Sequence, residues 1–443
     1  MRTRLLIVLG YLGAIAVGAL LLMLPASSAA RAWMPAADAL FTACSAVCIT
    51  GLSVIDVGAE LSRFGQGVLL VLVQLGCMGT MTVGTFFLVV IGRRLSLAGE
   101  FSITNAYGVK GVRGWRGLVL WVVCSMCAIE LAGMYALHAA VPDLGWFRSY
   151  FYAVMAFCNA GFSLAPASSL EGFQAYPLAL LTMGTLVTLG GLGFLVLYNL
   201  CTIQFWRRNL VARGRLSFHT RVVLLASLVL TVVALACVFG AEWNNALEPY
   251  SFAEKLGVGF FQAVTPRTCG FTVTPVQELS PVTRFVSCVL MFIGAAPGGA
   301  GGGVKVTTCA VFVLAILAIC RGQDAVTLFH RTVPEAVVRE AMVIVTVMAL
   351  LVVLGMTTLL VTENRGDGAT PFEYLLFETV SAVSTTGLSC GATTASLSPA
   401  GRAVIMACMF CGRLGALAVV FLIGGREAAP SRIRFPKEEL VVG

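Results

Sequence analysis

The sequence predicts an all-α polytopic membrane protein: four M1-P-M2 repeats, with eight transmembrane helices and four re-entrant pore helices, in a pseudo-fourfold array around a central pore. Three observations carry that expectation. Of 443 residues, 58% are hydrophobic and 11% charged, with a mean hydropathy of +0.93, whereas soluble domains run near a quarter charged. Four short polar, glycine-centred stretches interrupt this apolar chain: Cys48-Ile49-Thr50-Gly51-Leu52-Ser53, Asn159-Ala160-Gly161-Phe162-Ser163, Thr268-Cys269-Gly270-Phe271-Thr272 and Ser384-Thr385-Thr386-Gly387-Leu388-Ser389. Their glycines are spaced by 110, 109 and 117 residues, and each stretch follows an apolar segment too short to cross a bilayer.

The elements follow in order. Leu5 to Leu24, behind Arg2 and Arg4, imitates a secretory signal but is long enough for a retained first span. Pro35 to Cys48 is the first half-helix, and Gly67 to Gly92 the next span, closing on Arg93-Arg94. Leu118 to Ala140, the half-helix Trp146 to Cys158 and the long span Pro177 to Trp206 repeat the pattern. Val222 to Gly240, Phe252 to Val264 and a glycine-interrupted Val282 to Cys320 make the third copy; Val337 to Val361, Pro371 to Val383 and Arg402 to Gly424 the fourth. The units are therefore 1–95, 112–208, 218–322 and 333–425, with a tail over 426–443, and a period this long reads as internal duplication rather than a solenoid.

Charge sets the orientation. One set of connections carries Arg93, Arg94, Lys110, Arg113, Arg116, Arg207, Arg208, Arg213, Arg215, Arg321, Arg331 and Arg339, and the tail adds Arg426, Arg432, Arg434 and Lys437. The other set holds most acids, including Asp56, Glu60, Asp143, Glu171, Glu242, Glu278 and Asp367. The basic set faces the cytoplasm, which puts both termini there and the four loops toward the outer face of the plasma (inner) membrane. The net charge of +8 thus reads as topology, with contact to anionic lipid open to the inner loops, and not as nucleic-acid binding. The fifteen cysteines, among them Cys124, Cys127, Cys237, Cys288, Cys408 and Cys411, lie singly in apolar runs apart from one C-x-x-C, so they read as buried packing residues.

Non-helical backbone at membrane depth survives only inside protein or along a wet cavity. Four such loops on one axis would offer rings of carbonyl oxygens able to replace the hydration shell of a monovalent cation. Glycine opens backbone angles closed to other residues, and the half-helices would aim their partly negative C-termini at the path. The candidate filter is Cys48, Ile49, Thr50, Gly51; Cys158, Asn159, Ala160, Gly161; Arg267, Thr268, Cys269, Gly270; and Ser384, Thr385, Thr386, Gly387. None of the loops contains a carboxylate. Close helix packing at small residues is the bland alternative. Glu378 reads as a brace for the filter, Glu130 as a structural pair or helix–helix contact, and the three histidines have no assigned role. Gly294 to Gly303, with Pro297, cannot hold a regular helix; Val304 between Gly303 and Lys305 excludes a phosphate loop. Arg413, mid-span between Gly412 and Gly415, marks a pathway or a buried pair.

The motifs C-I-T-G-L-S at 48–53, F-C-N-A-G-F-S at 157–163, T-P-R-T-C-G-F-T at 265–272, S-A-V-S-T-T-G-L-S at 381–389, G-G-G-V-K-V-T-T at 301–308 and G-R-L-G at 412–415 resemble the Trk/Ktr/HKT superfamily of potassium transporters. The first loop's early position makes the likeness KtrB-like. The resemblance covers nearly the whole chain and implies potassium uptake, with all four signature glycines in place, and leaves sodium dependence open. It implies an intramembrane gate at Gly298, Gly299, Gly301, Gly302, Gly303 and Lys305, with Arg413 as an electrostatic barrier beneath the filter. Ala, Pro and Gly replace the family's serines and threonines in that loop, so fewer side-chain hydrogen bonds should hold it. The resemblance also implies a homodimer and a cytoplasmic KtrA-like ring of Rossmann type that binds adenine nucleotide; the chain itself has no dinucleotide fingerprint and calls for no cofactor. Two rivals differ in class: a secondary cation transporter with inverted repeats and one midplane site, and an intramembrane enzyme, for which no converging acids, Ser/His set or metal ligands are found.

Overall fold

Serine caps and prolines set where the apolar runs become helices. Ser62, Ser217, Ser280 and Ser398 each accept a backbone N–H from three residues ahead, and Pro177, Pro281 and Pro399 open their helices at the first position. The computed structural model describes residues 2–78, 115–165, 170, 172–202, 216–363, 371–391 and 397–415. The helices are α1 Arg2–Met23, α2 Ala36–Val47, α3 Arg63–Cys77, α4 Trp115–Ala140, α5 Trp146–Phe157, α6 Pro177–Leu192 and α7 Phe194–Thr202. They continue as α8 Phe218–Glu242, α9 Phe252–Val264, α10 Pro281–Phe292, α11 Val306–Cys320, α12 Glu335–Glu363, α13 Phe372–Val383 and α14 Pro399–Leu414.

Among the described residues three helices are long and apolar enough to cross a membrane unaided, Val119–Ala140, Phe218–Glu242 and Glu335–Glu363; a fourth crossing arises if α6 and α7 count as one. The expected first span appears as the apolar Val8–Met23, and the expected spans 67–92 and 402–424 appear as α3 and α14, their remainders lying outside the described residues. So do Arg93, Arg94, Lys110, Arg113, Arg207, Arg208, Arg213, Arg215 and the tail.

One expectation is corrected. The single span over 177–206 is broken: α6 and α7 meet at 97°, at Gly193, whose φ of 85° and ψ of 148° suit glycine alone. A helix cannot pass through that conformation, and Gly190-Gly191 just before it weakens the helix further. The all-α class expected from the sequence holds, with one small addition: Thr327–Leu328 pairs antiparallel with Arg331–Thr332 between α11 and α12. Val326 and Val333 anchor that hairpin on Ala315 and Ala318.

Contacts between successive copies follow one rule. α3 packs on α5, α6 on α9, α10 on α13, and α14 returns to α2, so each loop-following helix meets the half-helix that comes next in the chain and the last meets the first. Small residues allow the helices to approach: Gly18 of α1 faces Leu72 of α3, Gly133 of α4 faces Leu186 of α6, and Gly355 of α12 faces Cys408 of α14. Arg402 pairs with Asp38 at 2.9 Å, Arg284 with Glu373 at 3.4 Å, and Arg63 lies 4.3 Å from the Phe147 ring, which ties the start of α14, α10 and α3 to the start of the neighbouring half-helix. All fifteen cysteines are free thiols, but four expected to be buried are exposed, Cys124 and Cys127 on α4, Cys201 on α7 and Cys320 at the end of α11. A thiol behaves as a small apolar group, so an outward face toward lipid costs it little.

Candidate functional site

Each half-helix ends in a left-handed residue, and the glycine two positions on repeats that sign. The pairs are Ile49 (φ 54°) and Gly51 (φ 88°), Asn159 (55°) and Gly161 (68°), Thr268 (69°) and Gly270 (82°), and Thr385 (50°) and Gly387 (91°). An alternation of handedness turns successive peptide groups to a common side, which is how short backbone segments build ion-binding concavities. The non-glycine members lie in a region disfavoured for β-branched side chains such as Ile49 and Thr385, a conformation that persists only where the surroundings enforce it.

The enforcement is visible. In the first loop Thr50 N–H donates to Ser45 O at 2.8 Å and Gly51 N–H to Ser45 Oγ at 3.0 Å. The fourth repeats this bond for bond, with Thr386 N–H on Ser381 O at 2.8 Å and Gly387 N–H on Ser381 Oγ at 3.0 Å. In the second, Ala160 N–H reaches Met155 O at 2.8 Å. The third departs from the pattern, because Pro266 ends its helix early; there Thr265 Oγ1 donates to Phe271 O at 2.5 Å.

The four loops touch in a closed circle. A Cβ on Gly51 would strike the Ala160 carbonyl; on Gly161 it would lie 2.9 Å from Cys269 O; on Gly270, 2.5 Å from Thr386 O; on Gly387 it would strike the Thr50 carbonyl. Cys48, Ile49, Thr50, Cys158, Asn159, Ala160, Thr268, Cys269, Ser384, Thr385 and Thr386 are all buried. Arg267 precedes the third loop, and its N–H donates to Val264 O at 3.0 Å. Its guanidinium turns back into α8, donating to Ser227 O at 3.4 Å, Ser227 Oγ at 3.1 Å and Thr231 Oγ1 at 3.1 Å.

Two braces stand nine residues before their glycines. Glu378, fully buried, accepts Ser389 Oγ–H and, at 3.1 Å, Cys390 N–H. Tyr152 holds Ser163 Oγ at 3.2 Å and Leu164 N–H at 3.3 Å. Glu130 accepts Gln74 Nε2–H at 2.8 Å and the Cys158 thiol at 3.6 Å, so it links α4 to α3 and to the second loop.

The glycine-rich segment 294–303 lies directly against the loops. A Cβ on Gly301 would strike the Thr268 hydroxyl, and one on Gly302 would lie 3.0 Å from Ser384 O. The expected scarcity of side-chain hydrogen bonds within the segment is met by other partners. Gly294 N–H donates to Val304 O at 2.9 Å and Val304 N–H to Phe292 O at 3.0 Å, closing the segment at its base. Lys305 Nζ reaches Gly301 O at 2.6 Å, and Arg413 donates from Nη1 to Ala300 O at 2.5 Å and from Nη2 to Gly76 O. Bonds from charged donors contribute roughly 1.5–3 kcal/mol, against about 1 for neutral pairs, so Lys305 and Arg413 are its strongest ties.

One group escaped the sequence reading. Gly76, Gly190 and Gly412 each press on the last carbonyl of a half-helix, those of Val47, Phe157 and Val383. The signal was present as Gly-x-x-Gly at 76–79, 190–193 and 412–415, of which only the last was picked out.

Buried, carboxylate-free loops of alternating hand follow the half-length helices of a largely helical, apolar chain, and family comparison gives the class, a membrane transport protein. Residues 13–424 match the family described as TrkH, cation transport protein. The chain belongs to that family. It is 34% identical to Ktr system potassium uptake protein B of Bacillus subtilis, over 98% of this chain and 95% of that one. It is 32% identical to the protein of the same name from Vibrio alginolyticus, over 99% and 94%, and 30% identical to potassium/sodium uptake protein NtpJ of Enterococcus hirae, over 99% and 96%. The crystal structure of the potassium transporter TrkH from Vibrio parahaemolyticus has the same fold, with a TM-score of 0.72 at 18% identity, covering 95% of this chain and 84% of that one.

Proposed function

We propose that this protein takes up potassium across the plasma membrane through a pore whose selectivity filter is the circle of four loops. The observation that carries the reading is that circle: four backbone segments of the same alternating hand, joined glycine to carbonyl in chain order and back to the first. In this reading the chain is four M1-P-M2 units in pseudo-fourfold array, with both termini cytoplasmic. The cyclic packing of α3, α6, α10 and α14 supports parallel repeats over the inverted halves of a secondary transporter. Carbonyls of Cys48 to Gly51 and their counterparts replace the ion's water. Segment 294–303, with Lys305 and Arg413, is the gate beneath. The relatives' printed names support potassium as the cargo and keep sodium in play. A homodimer and a cytoplasmic nucleotide-binding ring complete the proposed assembly, since a relative named as part of a Ktr system implies a further component.

The test is potassium against sodium flux into liposomes holding the purified protein. Potassium-selective flux is the expected result; flux of both ions without preference counts against the filter. Gly51→Ser raises sodium permeability severalfold, because a side chain at φ 88° displaces the Ala160 carbonyl; unchanged ion preference in the folded variant counts against these loops. Arg413→Ala raises potassium flux several-fold by freeing Ala300 and Gly76. Should that variant only lose thermal stability, Arg413 is a structural tie and not a barrier.

A further inference from the structure

The glycine segment and the break between α6 and α7 share hydrogen bonds through groups that an unbroken helix would pair within itself. In an unbroken helix the carbonyls of Gly190 and Gly191 accept from the N–H groups four residues on, those of Phe194 and Leu195. Gly193 turns the chain away and leaves these groups free. Gly190 O then accepts Ala300 N–H at 3.1 Å, Gly191 O accepts Ala296 N–H at 2.9 Å, and Phe194 N–H donates to Gly298 O at 3.2 Å. The bend gives up three bonds within the helix, those of the Phe194, Leu195 and Val196 N–H groups to the carbonyls four residues back, and gains three to the segment, while Val196 N–H turns to Gly193 O at 3.1 Å. Side chains reinforce the exchange: Val196 of α7 packs with Ala296 of the segment and Val223 of α8, all buried. A Cβ on Gly193 would lie 2.6 Å from Pro297 O, whereas one on Gly415, of almost the same conformation at the end of α14, meets nothing within 4 Å among the described residues.

We infer that the α6–α7 bend is the second half of the gate, a latch with two alternative sets of backbone bonds. While α6 and α7 are bent, Gly190, Gly191 and Phe194 hold segment 294–303 beneath the filter. When they straighten into one span, the same three groups bond within the helix and the segment is released. Nearly equal bond counts in the two states make the exchange cheap, which a two-state element needs. The inference rests on the reading of 294–303 as a gate.

Two opposed substitutions test it in the full chain in liposomes. Gly193→Ala adds a Cβ that only the straight state accommodates. Leu195→Pro removes an N–H that only the straight state uses. Potassium flux is measured alongside the distance between spin labels at Thr185→Cys and Thr202→Cys, with the exposed Cys124, Cys127, Cys201 and Cys320 replaced by serine. A straight helix would separate those positions by about 26 Å along its axis, and the bent form by less. Gly193→Ala is expected to lengthen the distance and raise flux roughly tenfold, a shift of about 1.4 kcal/mol, with the potassium preference unchanged; Leu195→Pro is expected to keep the short distance and lower flux. An unchanged distance in folded Gly193→Ala overturns the latch. So does unchanged flux there, if deleting residues 298–302 raises flux; the gate reading then stands. If that deletion also leaves flux unchanged, the gate reading falls and the latch with it. Should Gly193→Ala fail to fold, Leu195→Pro decides: lowered flux supports the latch, and unchanged flux overturns it.

Discussion

Gly387→Ala abolishes potassium-selective flux in a protein that still assembles in the membrane. The residue sits at φ 91°, where a side chain is strained, and its Cβ would drive into the carbonyl of Thr50. The neighbour cannot yield cheaply, since Thr50 is pinned through its own N–H to Ser45. Strain at a left-handed position costs on the order of 1–3 kcal/mol, and here relief requires the Thr50 carbonyl, which the proposed filter turns toward the ion, to move aside. A filter works because its oxygens together match the hydration they replace, so the loss of one should lower selective flux by at least about a hundredfold, the equivalent of roughly 2.7 kcal/mol. Tracer uptake with the folded variant checks this; flux and preference like the parent's would show that ions do not pass the fourth loop.

Glu378→Ala has the next largest effect. This carboxylate is fully buried and accepts the Ser389 hydroxyl and the Cys390 N–H. Truncation removes the acceptor of both bonds, and a buried donor that loses its acceptor costs about 1–3 kcal/mol; it also opens a cavity behind the fourth loop. The expected outcome is a fall in thermal midpoint together with loss of potassium preference, with Glu378→Gln intermediate because an amide oxygen can still accept. Thermal unfolding in detergent and ion competition in liposomes measure the two parts. A large stability loss with preference retained would restrict Glu378 to folding.

The four loops were legible because glycine at fixed spacing in an apolar chain is a backbone demand written directly into sequence. The half-helices were legible because their length falls short of a bilayer. Glu378 was readable as a brace for a simple reason: an acid in an apolar half-helix needs donors, and the polar loop ahead supplies them. What stayed hidden were partnerships. Leu, Val and Thr around Gly190–Gly193 read as one continuous span, since hydropathy registers burial and not direction. Arg267 looked like a filter residue because its place in the motif fixes its backbone; where the guanidinium goes depends on Ser227 and Thr231, some forty residues earlier. Nor could spacing say that Lys305 would find Gly301 or that Arg413 would join Ala300 to Gly76.

The closure of α14 onto α2 has a bearing on biosynthesis. Arg413 and Gly76 are 337 residues apart in the chain, and Arg402 reaches back 364 residues to Asp38. At ordinary rates of translation the first half-helix waits on the order of half a minute for these partners to be made. For most of that interval the Thr50 carbonyl lies in the nascent protein without Gly387, the neighbour that closes the circle on it. Insertion therefore has to shelter an unfinished edge, and a chain cut short before α14 keeps that edge open.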